Sequence, residues 1–292
     1  METFPTEDIC IQVAEKTRWK DKVVSPFDPK SKVYKCKNHK YRCKNTGRYF
    51  TVKTGTCMAN SKISFKKWFY VMWLFSSHKR GISSHQIAKD IGVTQKTAWR
   101  MLKKVRESMG KENDYIVDGD IEIDETFAGG KNKFRHKDKK VEKCQGRSYK
   151  DKVPIFGMLE RNGDLVAKVV DNTKAKTLIP FIEKYVVEGS TIYTDGWDYN
   201  GLEDKYNQMS VDHGASYYGA IYYDENKETV MVTTNGIENA WSIFKRLYAT
   251  YYHISKDHMQ KYVDEFVFRF NTRKLSDFDR FRLISQYMFN AA

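Results

Sequence analysis

Apolar positions along this chain fall into three successive patterns of spacing. In the first sixty residues they are short aromatic runs set among Lys, Gly, Thr and Asn, as in SKVYKCKNHKYRCKNTGRYFTVKTGT. The alternation of Tyr49, Phe50 and Val52 between turn residues predicts small β-hairpins. From Ile63 the spacing becomes helical. In FKKWFYVMWLFSSHK the positions Phe65, Phe69, Met72, Trp73 and Phe75 fall near a 3.6-residue repeat, which predicts a buried helix. GISSHQIAKDIGVTQKTAWRMLKKVRESM then predicts two more helices. Ser83 with Gln86 forms a capping-box pattern before a short helix striped by Ile87 and Ile91. Gly92 makes the break, and Thr94 is placed to cap a second helix. Ala98, Met101, Leu102 and Val105 of that helix face inward, while Gln95, Lys96, Arg100, Lys103 and Lys104 face out.

After KENDYIVDGD the spacing becomes that of strands. In IEIDETFAGG, Ile121 and Ile123 point one way and Glu122 and Asp124 the other. KVPIFGMLERNGDLVAKVVDN reads as two strands around an Asn162-Gly163 turn. KAKTLIPFIEKYVVEG reads as a helix ending at Gly189, and STIYTDGW as a further strand. A hairpin, a helix and a strand parallel to the first predict an α/β layer with a mixed sheet. The changes of pattern divide the chain into residues 1–60, 61–112 and 113–292, with linkers near 56–62 and 110–118.

Charge narrows the choice of partner. Lys and Arg number 51 against 37 Asp and Glu, a net charge of +14. That balance favours a polyanion, through field steering and release of condensed counterions, although a solubilising excess or an acidic membrane would use it too. With 19 Tyr and 6 Trp available for base or sugar contacts, nucleic acid is the expected partner. A helix, a Gly-containing turn and a basic second helix form the helix-turn-helix arrangement, whose second helix suits a major groove. An ordinary helical hairpin with solvated Lys and Arg has the same pattern. The five cysteines, at 10, 36, 43, 57 and 144, are irregularly spaced and read as reduced cytoplasmic thiols. No apolar run approaches a membrane span, and no signal pattern opens the chain. A cytoplasmic, nucleoid-associated protein with no membrane partner is expected.

Three acids stand where chemistry is concentrated in α/β folds. Asp124 ends the strand IEID, Asp195 ends TIYTD before Gly196-Trp197, and Glu238 lies in the first turn of the helix following Asn235-Gly236. Reactive groups collect at the carboxyl ends of strands in open α/β sheets. Three converging carboxylates repel one another unless cations neutralise them. Mg²⁺ or Mn²⁺ would do so, and a pair of such ions supports in-line phosphoryl transfer. In TTNGIENAWSIFKR, Ile237, Trp241, Phe244 and Tyr248 form the apolar stripe, and Glu238, Ser242 and Lys245 the next one. Lys245 then lies about 10.5 Å along the axis from Glu238, within reach of a DNA phosphate. Asp120, Glu122 and Glu125 are weaker candidates; Glu122 shares the strand face of Asp124 and could support it. Residues 131–152 hold ten Lys or Arg and three acids, a solvated loop that could also clamp a phosphate backbone.

IEIDETFAGGK, IYTDGWDYN, TTNGIENAWSIFKR and YYHISKDHMQKYVDEFVFRFNTRK resemble successive motifs of the ISXO-two-like transposases, the insertion-sequence family numbered fifteen ninety-five. YRCKNTGRYFTVKTGT, SKISFKKW and GISSHQIAKDIGVTQKTAWRMLKKVR resemble its N-terminal half. The resemblance implies a ribbon-like N-terminal region, a helix-turn-helix and an integrase-type ribonuclease-H-like catalytic core. It also implies a metal-dependent triad, here Asp124, Asp195 and Glu238, with Lys245 trailing it. The activity implied is DNA transposition: cleavage at terminal inverted repeats and strand transfer into target DNA, by a homo-oligomer. Gln95, Lys96, Arg100, Lys103, Lys104, Asn235 and His253 are the expected DNA contacts; His213 and His258 read as structural. The alternative is a non-catalytic DNA-binding regulator or domesticated relative, and a structure-specific nuclease would use the same fold.

Two departures stand out. The family's zinc-ribbon thiolates map onto Ser25, Asp28, Cys43 and Thr46, so three of the four are missing and zinc is not expected. Cys36, His39, Cys43 and Cys57 can be written as a substitute set. Thr233 stands where relatives often carry His. Tyr262, Phe266, Phe268 and Phe270 are expected in the core, with Arg269, Asn271 and Arg273 at the rim of the site.

Overall fold

The computed structural model describes residues 4, 6–130, 132, 136–142, 152–195, 201–211, 220–223 and 229–290. They divide between two units, Met1–Glu112 with Lys274–Ala292, and Asn113–Arg273.

The first unit begins with helix α1 (Glu7–Trp19), capped by the Thr6 side chain, which accepts from the Ile9 amide. The sequence pattern did not predict this helix, because only Cys10 and Ala14 of it are buried. Three short strands follow, β1 (Val33–Lys35), β2 (Tyr41–Cys43) and β3 (Tyr49–Phe50), paired antiparallel in that order. Their buried residues Tyr41, Cys43 and Phe50 pack with Trp19, Val23 and Phe27. Helix α2 (Phe65–Ser77) buries Phe65, Trp68, Phe69, Met72 and Phe75. Its N-terminus is held from α1: the Glu7 carboxylate accepts from the Phe65 and Lys66 amides at 2.7 and 2.9 Å.

Ser83 caps α3 (Ser84–Ile91), accepting from the Gln86 amide, and Gly92 ends it in the left-handed conformation at φ 60°. Thr94 accepts from the Thr97 amide at the start of α4 (Gln95–Glu112). Ala98, Met101, Leu102 and Val105 are buried, as the periodicity predicts. The last helix, α8 (Asp277–Phe289), was assigned by sequence to the C-terminal region. It packs instead on α2, through Phe281 against Phe69 and Trp73 and Phe289 against Phe65.

The second unit is built on a five-stranded mixed sheet. Strand β4 (Asp120–Ala128) lies at its centre, antiparallel to β5 (Val153–Glu160), which is antiparallel to β6 (Leu165–Val169). On its other side β4 runs parallel to β7 (Thr191–Asp195), which runs parallel to β8 (Asn207–Val211). The order is β6-β5-β4-β7-β8. Asn162, at φ 63°, turns the β5–β6 hairpin. A separate antiparallel pair joins β9 (Ala220–Tyr223) and β10 (Thr229–Val232).

Alternation along the strands gives the sheet two apolar faces. Ile121, Ile123, Phe156, Met158, Val166 and Ile192 pack with Leu178 and Ile182 of α5 (Ala175–Tyr185). Ile155, Leu159, Leu165 and Ala167 pack with α6 (Asn235–Thr250) and α7 (Met259–Asn271). Helix α5 stops before Gly189, because Val186 leaves the helix to bridge Val117. Gly189 takes φ 90° in the following turn. Helix α6 starts earlier than the sequence suggests, with Asn235 and Gly236 in its first turn. This mixed α/β arrangement is compatible with a ribonuclease-H-like domain. Among the described residues no helix is long and apolar enough to cross a membrane.

Candidate active site

The parallel pairing of β4 with β7 sets Asp120 beside Thr191, Ile121 beside Ile192 and Glu122 beside Tyr193. The pairing ends there, and Asp124 and Asp195, the last residue of β7, each lie two residues beyond its last pair. Side chains alternate along a strand, so Glu122, Asp124, Tyr193 and Asp195 share one face. That face is covered by α6. Gly157 of β5 pairs directly with Asp124, and a Cβ there would meet the Trp241 indole at 2.5 Å.

The rotation of α6 follows from its apolar stripe. Ile237, Ala240, Trp241, Phe244 and Leu247 are buried, while Glu238, Ser242 and Lys245 are exposed. Glu238 is thus in the first turn, with Lys245 two turns further along the exposed stripe. The triad expected from sequence therefore lies on one side of the sheet: two aspartates on adjacent strands and a glutamate on the covering helix. It is not drawn tightly together. Among the described residues, no three His, Cys, Asp or Glu side chains are gathered in a group that could hold a metal ion. The donor set at these positions is all carboxylate oxygen, which suits a hard divalent cation such as Mg²⁺ or Mn²⁺.

Behind these positions lies a polar network that the sequence reading largely missed. The Glu122 side chain, 4% exposed, accepts from the Ile237 amide at 2.9 Å through Oε2 and from Arg161 Nε at 3.3 Å through Oε1. Arg161, beside the β5–β6 turn, also donates to the Thr233 carbonyl at 3.1 Å and lies 3.8 Å from the centre of the Tyr193 ring. Tyr193 donates to Asp120 at 2.9 Å. Burial and then the Asp120 carboxylate push the Tyr193 hydroxyl up to about 12. Sequence proximity signals only the shared face of Glu122 and Asp124; nothing local marks Arg161.

Other sequence-predicted residues fall in several settings. Gln95, Lys96 and Arg100 are exposed on α4, with Gln95 donating to Ser84. Lys103 and Lys104 are partly buried. Lys103 pairs with Glu107 at 3.7 Å and lies over the Trp99 ring, while Lys104 donates to the Cys57 carbonyl. Asn235 and His253 are exposed. His213, Gly196-Trp197, Cys144 and most of the basic segment 131–152 lie outside the described residues.

Arg269, Asn271 and Arg273 are structural ties rather than rim groups. Arg269 pairs with the buried Glu265 at 2.8 Å. Asn271 bonds both backbone groups of Leu165, and Arg273 donates to the Gly163 and Phe270 carbonyls.

Three of the four positions mapped onto zinc thiolates meet in the first unit. Cys43 is fully buried. Burial pushes its thiol up, but hydrogen bonds from Ser25, Ser31 and Thr46 outweigh that and bring it down to about 6. Ser25 also accepts from the Phe27 and Asp28 amides. In the substitute set, His39 pairs with Asp8 at 2.9 Å, and Cys36 donates to the Tyr34 carbonyl.

Residues 116–271, which contain all three acids, match the ISXO2-like transposase domain, and the chain belongs to that family. It is 24% identical over 286 residues to the uncharacterized protein in transposable element ISH50 of Halobacterium salinarum, with 92% of each chain covered. An uncharacterized transposase-like protein of Haemophilus influenzae is 29% identical over 109 residues, which cover 37% of this chain and 80% of the other.

Proposed function

We propose that this transposase-family protein cuts DNA at the ends of its own element and joins the freed ends to target DNA, using Asp124, Asp195 and Glu238 as one metal-dependent site. The observation that supports this most strongly is the parallel register of β4 on β7, whose last pair is Glu122 with Tyr193: Asp124 and Asp195 each follow that pair by two residues on their strands, on the face covered by the helix carrying Glu238. Mg²⁺ or Mn²⁺, when bound, would activate the attacking oxygen and offset charge on the phosphate.

The chain's own groups divide the rest of the work. The three carboxylates supply hard oxygen donors from two strands and a helix. Lys245 lies about 10.5 Å along α6 from Glu238, spaced to hold a phosphate further along the strand. In the first step water cleaves the phosphodiester at the element end and leaves a 3′-hydroxyl. In the second, that hydroxyl displaces the 3′-oxygen of a target phosphodiester. The α3–α4 pair acts as a helix-turn-helix, with Gln95, Lys96 and Arg100 on the exposed side of α4 directed at the terminal repeats and Asn235 and His253 as further DNA contacts. Joining two ends together calls for a multimer on DNA.

The test is cleavage of DNA flanking this protein's reading frame, with Mg²⁺ or Mn²⁺ and with Asp124→Asn as control. Cuts at paired inverted repeats that vanish in the variant are expected. Equal cutting by Asp124→Asn would overturn the assignment, and metal-independent binding without cutting would move the reading to a DNA-binding regulator.

A further inference from the structure

The Glu122–Arg161 network touches the immediate neighbourhood of all three acids. Glu122 precedes Asp124 by two residues on the same strand face. The amide that it accepts from belongs to Ile237, the residue before Glu238. Arg161, which neutralises Glu122, stacks on Tyr193, two residues before Asp195 on its strand face. The guanidinium also holds the Thr233 carbonyl, one residue before the N-cap Thr234 of α6.

Helix α6 needs such an anchor. The amides of Asn235, Gly236 and Ile237 precede its first helical bond, which runs from Glu238 to the Thr234 carbonyl; the Thr233 hydroxyl accepts from Asn235, and the Thr234 side chain makes no capping bond. The Glu122 carboxylate takes that place from a strand 115 residues away in sequence, where a negative charge is also favoured by the helix dipole. Gly236 leaves the room: a Cβ there would lie 2.7 Å from Glu122 Oε2.

We infer that Glu122 is a positioning residue, which caps α6 at Ile237 and with Arg161 fixes the height and rotation of Glu238 over Asp124 and Asp195. This rests on the reading of those three acids as one site. Glu122 is assigned a positioning role rather than that of a fourth ligand, because each of its oxygens already meets a donor of the protein, the Ile237 amide at one and Arg161 at the other. Partners that orient metal-binding groups typically change metal affinity or activity about 10- to 100-fold when removed.

The test compares Glu122→Ala, Glu122→Gln and Asp124→Asn by two measurements on the whole chain. One is hydrogen exchange of the Ile237 amide in metal-free protein; the other is Mn²⁺ titration, read as binding and as DNA cleavage. In Glu122→Ala the Ile237 amide exchanges faster, and half-saturation by Mn²⁺ rises about 10- to 100-fold. Glu122→Gln restores most of both, because its amide oxygen can still accept from Ile237. Faster exchange in Glu122→Ala with unchanged Mn²⁺ half-saturation, beside weakened binding in Asp124→Asn, would overturn this inference alone. Loss in Glu122→Gln as deep as in Asp124→Asn would also overturn it, by making Glu122 a ligand. Wild-type Mn²⁺ binding in Asp124→Asn would remove the triad reading and this inference with it. If Glu122→Ala fails to fold, Gly236→Ala disturbs the same contact with the carboxylate kept. The same rise is expected there, and unchanged Mn²⁺ half-saturation would overturn the proposal.

Discussion

Trp241 occupies the space that a side chain on Gly157 would need: a Cβ there would stand 2.5 Å from Cζ2 of the indole. The contact seats α6 on β5 directly opposite Asp124. Gly157→Ala is expected to push the helix off the sheet and to cost about 1–3 kcal/mol, the usual range for overpacking a core. Urea unfolding followed by tryptophan fluorescence reads the cost; an unchanged midpoint would mean that the helix adjusts freely.

Glu265 is fully buried and accepts from the Tyr251 hydroxyl at 2.7 Å and from Arg269 Nε at 2.9 Å. Arg269→Ala leaves that carboxylate without its cation, at a cost of about 3–5 kcal/mol. Glu265→Leu combined with Arg269→Met is expected to cost less than the single change, because no buried charge is stranded. Chemical denaturation of the two variants distinguishes this from a loss of packing alone.

Asp264 has its carboxyl raised above the ordinary 3.8 by burial, a shift that the Gln260 hydrogen bond and Lys168 only partly offset. The folded protein therefore binds this proton more tightly than the unfolded chain. The resulting stability is complete below the unfolded value and is lost as pH rises through the folded one. Asp264→Asn removes that loss, so the variant is expected to gain on the wild type as pH rises from below the carboxylate range to neutrality. Equal pH dependence of the two unfolding midpoints would contradict this.

On DNA, each phosphate contact supplied by a Lys or Arg lowers the slope of log K against log salt by about 0.9. Lys96→Ala with Arg100→Ala is expected to weaken binding to element-end DNA and to reduce the slope by up to about 2. A salt slope equal to that of the wild type would show that the exposed side of α4 does not carry the contact.

The placement of the candidate residues was legible where one element fixes a residue's direction. Alternation in IEID separates Ile121 and Ile123 from Glu122 and Asp124, and the stripe of Ile237, Trp241 and Phe244 sets Glu238 and Lys245 outward. The Asn162-Gly163 hairpin and the caps at Ser83 and Thr94 were legible for the same local reason. Contacts distant in sequence were not. The bond from Glu122 to Ile237 has no signature in either segment, and Arg161 looks like any turn arginine. Arg269 and Asn271 read as rim groups because a sequence cannot distinguish a cation aimed at solvent from one paired inside. Helix α8 lacked any mark of its packing on α2, since an aromatic stripe does not name its partner.

Mn²⁺ binding to the purified protein, followed by electron paramagnetic resonance, tests directly whether Asp124, Asp195 and Glu238 form one metal site. Asp124→Asn, Asp195→Asn and Glu238→Gln are each expected to weaken binding by at least about tenfold, while Asp257→Asn, an exposed acid in the 3₁₀ turn Lys256–His258, leaves it unchanged. Wild-type binding in Glu238→Gln would rule out the three-acid site, because the helix would then contribute nothing to what the two strands begin.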